Sequence, residues 1–542
     1  MTTEWHEQIW EVVVVGTGMG GATLGFALAA QGRRVLFIER GHDLMRRAPA
    51  PLAPVGADDE APQARMARGH WPTRLHGQTN RGAVDVLPSL GCGTGGSTLL
   101  YAAQLERLFA ADFEPRGHFA DLNGSTLPEA WPVSHAEMLP WYRQAERLFR
   151  VCGSADPLDP DAATTLREPP PMSARDVHFM RSFRELGLKA YQAHVACDFI
   201  DDCVGCGGRI CEHGCKSDAR RACLEPALRE HGATLVADCE AVAVEADAQR
   251  AHGVRVHWQG RELLVRAELV VLAAGALMTP RILLASTSAH WPEGLANRSG
   301  AVGRNLMFHA TDFAAVRPRL PQPGVGPQKA VATNDFYLDA GGKLGAFQSI
   351  GITLEPGMVY AQLLERMPRL PRVLRLPVRA LLHLAAAAIG RTLRGSTLFA
   401  TITEDLPYWH NRVLRDEAAP GGVRFEYRYS AELDRRARRF RDLLSRKLRT
   451  HHRLRWLSFR HNLNFGHACG TCRFGDDPAT SVLDRDNRAH GIDNLYVVDA
   501  SFFPSSGGTN PSLTIAANAL RVAQAIGARF ASASDEPLAQ QA

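Results

Sequence analysis

The apolar run Glu11-Val-Val-Val-Val-Gly16 has the continuous hydrophobicity of a strand buried on both faces. It runs into a turn, Gly16-Thr-Gly18-Met19-Gly20-Gly21, and the small residues from Ala22 to Gln31 predict a helix after it. Arg34-Val-Leu-Phe-Ile-Glu39 predicts a second buried strand. Further along, Leu344 to Leu354, Leu398 to Thr403 and Leu495 to Val498 predict strands. Val84 to Leu90 carries Pro88 in mid-run, which argues against a central strand.

The 542 residues exceed the roughly 250 to 300 that one core supports, so two cores are expected. Lys plus Arg number 62 against 57 Asp plus Glu, a formal charge of +5 without the concentrated basic stripe that nucleic acid requires. The N-terminal residues lack a basic start followed by an apolar run, and no stretch reaches the ~18 apolar residues of a membrane span. A cytoplasmic protein is expected on these grounds, unless a partner exports it folded to the periplasm. Disorder is expected only at the C-terminal end, Ala531 to Ala542, with 536–542 outside either domain.

The first glycine turn has its strand, its helix and its acid. Its glycines let the backbone approach a pyrophosphate at the helix N-terminus, and Glu39 ends the second strand where an acid can hold a ribose hydroxyl pair. This is a dinucleotide site. A second glycine loop, Gly91-Cys-Gly93-Thr-Gly95-Gly96-Ser97, is expected to lie against the same cofactor. Near the C-terminus, His467 and Asn510 stand at the ends of a Gly- and Pro-rich passage. A histidine can take a proton near neutral pH, and an amide can hold an oxygen-bearing substrate. A loop histidine and an Asn-Pro turn would look the same locally.

These stretches, with Trp131-Pro-Val-Ser134, Trp141 to Glu146, Val271-Leu-Ala-Ala-Gly-Ala276 and Gly303-Arg-Asn-Leu306, occur in the order found in the glucose-methanol-choline (GMC) flavoprotein oxidoreductases. The chain resembles that family over nearly its full length. The resemblance implies an α/β fold, α+β overall: a Rossmann-like FAD-binding domain of discontinuous segments (1–115, 196–312 and 462–535), and a substrate-binding domain (116–195 and 313–461) whose sheet is covered by helices. It implies that the flavin ring sits between the two.

The resemblance further implies His467 as catalytic base and Asn510 as its partner on the substrate oxygen. It places Gly16, Gly18, Met19, Gly20, Gly21, Glu39 and Arg40 at the ADP end of FAD, with Val242. Gly93, Gly95, Gly96, Ser97, Tyr101, Ala274, Gly275, Asp499, Ala500 and Pro511 fall along the rest of the cofactor. Leu100 stands where several members carry a histidine linked covalently to the flavin, so noncovalent FAD is expected, and Tyr101 replaces an asparagine common there.

Of 11 cysteines, Cys203, Cys206, Cys211 and Cys215 share one Gly-rich loop, a grouping suited to zinc, an iron–sulfur cluster, plain thiols or a disulfide. Certain GMC sugar dehydrogenases hold a three-iron cluster in a similar loop that passes electrons to a cytochrome, although Gly205 takes the position of the usual first ligand here. Cys469 and Cys472 show no helix N-terminus to lower a thiol pKa and are expected to pack a loop. Arg366 to Arg394 interleaves arginines with Leu, Val and Ala and suits a lid, an anionic membrane surface or an acidic electron-acceptor protein.

The expected function is oxidation of the CH–OH group of an alcohol (sugar, aminoglycoside, sterol or aliphatic), with hydride passing to flavin N5 and His467 as base. The alternatives are the catalytic subunit of an electron-transfer dehydrogenase using the cysteine loop, and a flavin-containing lyase that never reduces its FAD.

Overall fold

The computed structural model describes residues 4–45, 61–122, 124–159, 165–200, 203, 207–319, 329–340, 342–351, 360, 372–458 and 460–535. The first apolar run forms the strand Ile9–Val15, the small-residue stretch the helix Met19–Ala30, and the next run the strand Val35–Ile38. They belong to a seven-stranded sheet in which Ile9–Val15 pairs in parallel with Val35–Ile38 and with Arg261–Leu272. Leu495–Val497 adds a parallel strand on the far side of Arg261–Leu272, brought there from the end of the chain. Val12, Val13, Val14 and Leu272 have no exposed surface, as expected of a parallel sheet covered on both faces.

One face is closed by Met19–Ala30 and by the C-terminal helix Ser512–Asp535, which pack against each other. That helix continues through residues 531–535, so the expected disorder does not begin at Ala531.

A second, eight-stranded sheet is mostly antiparallel and runs from His452–Trp456 through Phe313–Pro318, Thr397–Thr403, Gly345–Ser349 and Val331–Thr333 to Tyr191–Gln192. Met307–Thr311 and Asn462–Cys469 pair with each other and join this sheet at Thr397–Thr403. The expected strands at Leu344 and Leu398 are thus Gly345–Ser349 and Thr397–Thr403, while residues 352–354 lie outside the described residues. The helices Ala174–Glu185 and Ala431–Leu448 cover one face, burying Phe179, Phe183, Phe440 and Leu444 against Phe347 and Phe399.

Gly82–Val86, just before Pro88, is an edge strand of a separate four-stranded sheet. Of the arginine-rich segment, Arg366 and Arg369 lie outside the described residues. The helix Arg372–Leu393 follows, with Leu381 and Leu384 66% and 70% exposed. Among the described residues no helix is long and apolar enough to cross a membrane.

Candidate active site

The first glycine turn is forced by close approach. Gly16 has φ +97°, and a Cβ there would lie 2.4 Å from the Ala273 carbonyl oxygen; one on Gly20 would lie 2.0 Å from that of Val498. The turn is therefore wedged between the ends of Arg261–Leu272 and Leu495–Val497, and it delivers the chain to the N-terminus of Met19–Ala30, whose first turn holds no acid. That end of the helix presents free N–H groups and partial positive charge.

A cavity of about 660 Å³ opens there and extends to the eight-stranded sheet, within the usual range for small-molecule sites. Gly16, Gly18, Met19, Gly20, Glu39, Arg40, Gly96, Ser97, Tyr101, Ala274, Gly275, Asp499, Ala500, Pro511, His467 and Asn510 all line it. Leu100 also lines it.

Four expected cofactor residues do not line it. Gly21 is packed under Gly16 and Ala273, Gly93 faces Leu44, and Gly95 faces Arg220. Val242 is replaced on the lining by its neighbour Ala241. A glycine pattern marks where the backbone must turn, and only some of the turn meets the ligand.

At the dinucleotide end, buried Glu39 accepts hydrogen bonds from Thr17 N (3.2 Å), Thr17 Oγ1 (2.7 Å) and Gly41 N (2.9 Å). Thr17 Oγ1 in turn accepts from Gly95 N at 3.1 Å, which joins the second glycine loop to the first. Arg40 stacks on Trp71, 4.4 Å from the ring centre. Asp499 accepts from Gly275 N (2.9 Å), Ser501 N (2.9 Å) and the Thr279 hydroxyl, and burial raises its pKa. Tyr101 turns its hydroxyl away, onto the Ser217 carbonyl.

At the sheet end, pairing of Met307–Thr311 with Asn462–Cys469 brings His309 to His467, their Nδ1 atoms 2.8 Å apart. His309, fully buried, also bonds through Nε2 to the Gly507 carbonyl at 2.9 Å. A carbonyl only accepts, so His309 carries its proton on Nε2 and its Nδ1 is an acceptor; His467 donates to it from Nδ1 and keeps the Nε2 lone pair. Burial holds the His309 pKa down to about 4, and burial together with His309 holds that of His467 well below its ordinary value. Both rings are neutral at pH 7. Asn510 Oδ1 is buried with no hydrogen-bond partner among the described residues.

His309 escaped the sequence reading, although Gly303-Arg-Asn-Leu306 ends just before it. Thr17 and Trp71 escaped it too: Thr17 lies inside the recognised turn, and Trp71 carries no local signal.

The thiol loop is only partly described, since Cys206 lies outside the described residues. Among the described residues Cys203, Cys211 and Cys215 form no disulfide, and their proximity adds to burial in raising the pKa of Cys197. Among the described residues no three His, Cys, Asp or Glu side chains converge to hold a metal, so they supply no donor set for zinc or an iron–sulfur cluster. Cys469 and Cys472 are buried, with pKa values raised well above the ordinary thiol range.

Family models described as GMC oxidoreductase match residues 128–311 and 389–519. Over 97% of its length the chain is 30% identical to paromamine 6'-oxidase of Streptomyces fradiae and 29% identical to 6'''-hydroxyparomomycin C oxidase of Streptomyces lividus, covering 92% of each. The fold is similar to that of pyridoxine 4-oxidase from Mesorbium loti, with a TM-score of 0.62, 21% identity, and 95% of this chain and 99% of that one covered. The chain belongs to the GMC oxidoreductases and is an FAD-dependent enzyme acting on CH–OH donors.

Proposed function

We propose that the protein oxidises its alcohol with His467 as the base that removes the hydroxyl proton. The observation that carries this reading is the Gly507–His309–His467 chain of hydrogen bonds, which leaves a basic nitrogen on a cavity-lining residue. The residues present fit FAD. Gly18 and Gly20 stand at a helix N-terminus suited to its pyrophosphate, Glu39 suits its ribose, and Ala274, Gly275, Ala500 and Pro511 form walls along its length.

FAD, when bound, supplies the acceptor for the hydride that leaves the alcohol carbon. The alcohol O–H donates to His467 Nε2, and the proton moves to that nitrogen as the carbonyl forms. Asn510 donates from its amide nitrogen to the same substrate oxygen, while its unpartnered amide oxygen accepts from a neighbouring hydroxyl. His309 accepts from His467 Nδ1 throughout, so the ring cannot turn while it carries the proton. Base assistance of this kind is worth roughly 10² to 10⁴ in rate.

The test is anaerobic mixing of the holoenzyme with alcohols while the flavin absorbance is followed. Bleaching that slows at least a hundredfold in His467→Ala supports the reading. Product formation without bleaching would make the protein a lyase instead.

A further inference from the structure

The sheet end of the cavity carries more polar groups than removal of one proton requires. Gln348 on the strand Gly345–Ser349 and Ile350 just past its end flank Ser349 and both line the cavity, together with Thr311 and Phe313. Gln104 enters from the wall and Lys329 from the segment leading into Val331–Thr333.

Gln104, Thr311 and Gln348 are 4%, 3% and 4% exposed, and Gln104 Oε1, Thr311 Oγ1 and Gln348 Oε1 are buried without a hydrogen-bond partner among the described residues. Buried polar atoms are nearly always paired, so three orphans on one cavity floor mark places where a ligand supplies the partner. Lys329 donates to the Ala102 carbonyl, which takes one of the three hydrogens an ammonium offers. Burial lowers its pKa to about 7, and it remains a donor in either state.

Charge narrows the ligand further. The carboxylates lining the cavity are Glu39, Glu240 and Asp499, all on the dinucleotide side and all engaged: Glu39 with Thr17, Glu240 facing Arg40 at 3.9 Å, and Asp499 with Gly275. Among the described residues no carboxylate lines the sheet end, where Lys329 is the one amine.

We infer that Gln104, Thr311, Lys329 and Gln348 form a recognition site for an uncharged, polyhydroxylated alcohol, which selects against apolar alcohols and against those bearing ammonium groups. The inference rests on the alcohol oxidation proposed above and names its substrate class. A hydroxyl both donates and accepts, so a run of hydroxyls satisfies amide oxygens, a threonine hydroxyl and a lysine together. An alkyl chain leaves every one of them unpaired, which is how polar sites reject apolar analogues. An ammonium group would find no carboxylate on that lining to pair with.

The experiment uses the FAD-loaded enzyme, mixed without air with neutral hexoses and cyclitols, with their monoamino counterparts, and with 1-alkanols of matching carbon number. The expected result is a flavin reduction rate over Kd at least tenfold higher for the best neutral polyol than for either other class. Gln348→Leu and Lys329→Met should each lower the polyol-to-alkanol ratio roughly tenfold to a hundredfold. Faster reduction by alkanols or by the amino compounds overturns the inference while leaving the proposed function standing. So does an equal slowing of all three classes in both variants. If nothing bleaches the flavin, the proposed function fails, and the site is read instead from perturbation of the oxidised flavin spectrum. Perturbation by the neutral polyols then supports the inference, and its absence overturns it.

Discussion

His309 and His467 meet Nδ1 to Nδ1 at 2.8 Å with their rings at 89°, so one ring dictates which nitrogen of the other is basic. Replacing His309 by Ala removes the acceptor and frees His467 to turn or to change tautomer. Flavin reduction should slow roughly a hundredfold, against the 10² to 10⁴ expected for His467→Ala, with FAD still bound in both. His309→Asn keeps an acceptor and should recover part of the loss. A His309→Ala enzyme that reduces its flavin as fast as the wild type would remove the tautomer argument.

The pH dependence follows from two imidazoles held neutral by burial. In the unfolded chain His309 titrates near 6.5, and in the folded protein at about 4. Between those values the unfolded chain binds the proton and the folded one does not, so stability is complete above about pH 6.5 and falls as pH drops toward 4. The loss from His309 alone is of order 3 kcal/mol. Denaturant midpoints at pH 7.5 and pH 5 should differ less in His309→Asn than in the wild type. The rate of flavin reduction should be level from about pH 6.5 upward, because the base is already unprotonated there.

Glu39 lines the cavity and is the acid proposed to meet the FAD ribose. In Glu39→Gln the two oxygens that accept from Thr17 and Gly41 become one, and the negative charge offered to a ribose is lost. Hydrogen bonds involving charged groups contribute about 1.5 to 3 kcal/mol, so FAD affinity should fall roughly tenfold to a hundredfold. Titrating the apoprotein with FAD measures this, and an unchanged Kd would place the ribose elsewhere.

The dinucleotide half was legible because its signals are local. A valine run, a turn no side chain can occupy at Gly16 and Gly20, and an acid at the end of the next strand all lie within Glu11 to Glu39. His467 and Asn510 were legible through the family pattern around them. His309 was not, because its meeting with His467 depends on the register between Met307–Thr311 and Asn462–Cys469, which no periodicity along the chain encodes. Gln348 and Lys329 escaped for the same reason: a polar residue within a short strand gains its meaning only from what the opposite wall brings to the cavity.

Lys343 carries the last prediction. It has no exposed surface, and its ammonium lies between the carboxylates of Asp112 and, at 2.5 Å, Glu404. Tyr337 donates to Asp112 at 2.7 Å and accepts from Gly508 N at 2.8 Å, so the charge cluster is tied to the turn whose Gly507 carbonyl fixes His309. Lys343→Met would leave two carboxylates buried without their cation and should cost about 3 to 5 kcal/mol. Tyr337→Phe breaks the tie while sparing the cluster's charges; it should cost about 1 to 3 kcal/mol. Because the turn positions the histidine pair and lies away from Glu39 and the first glycine turn, Tyr337→Phe should slow flavin reduction more than it weakens FAD binding. Reduction kinetics beside an FAD titration separate the two effects, and a variant that loses FAD while its bound flavin reacts at the wild-type rate would show that the tie serves the cofactor rather than the base.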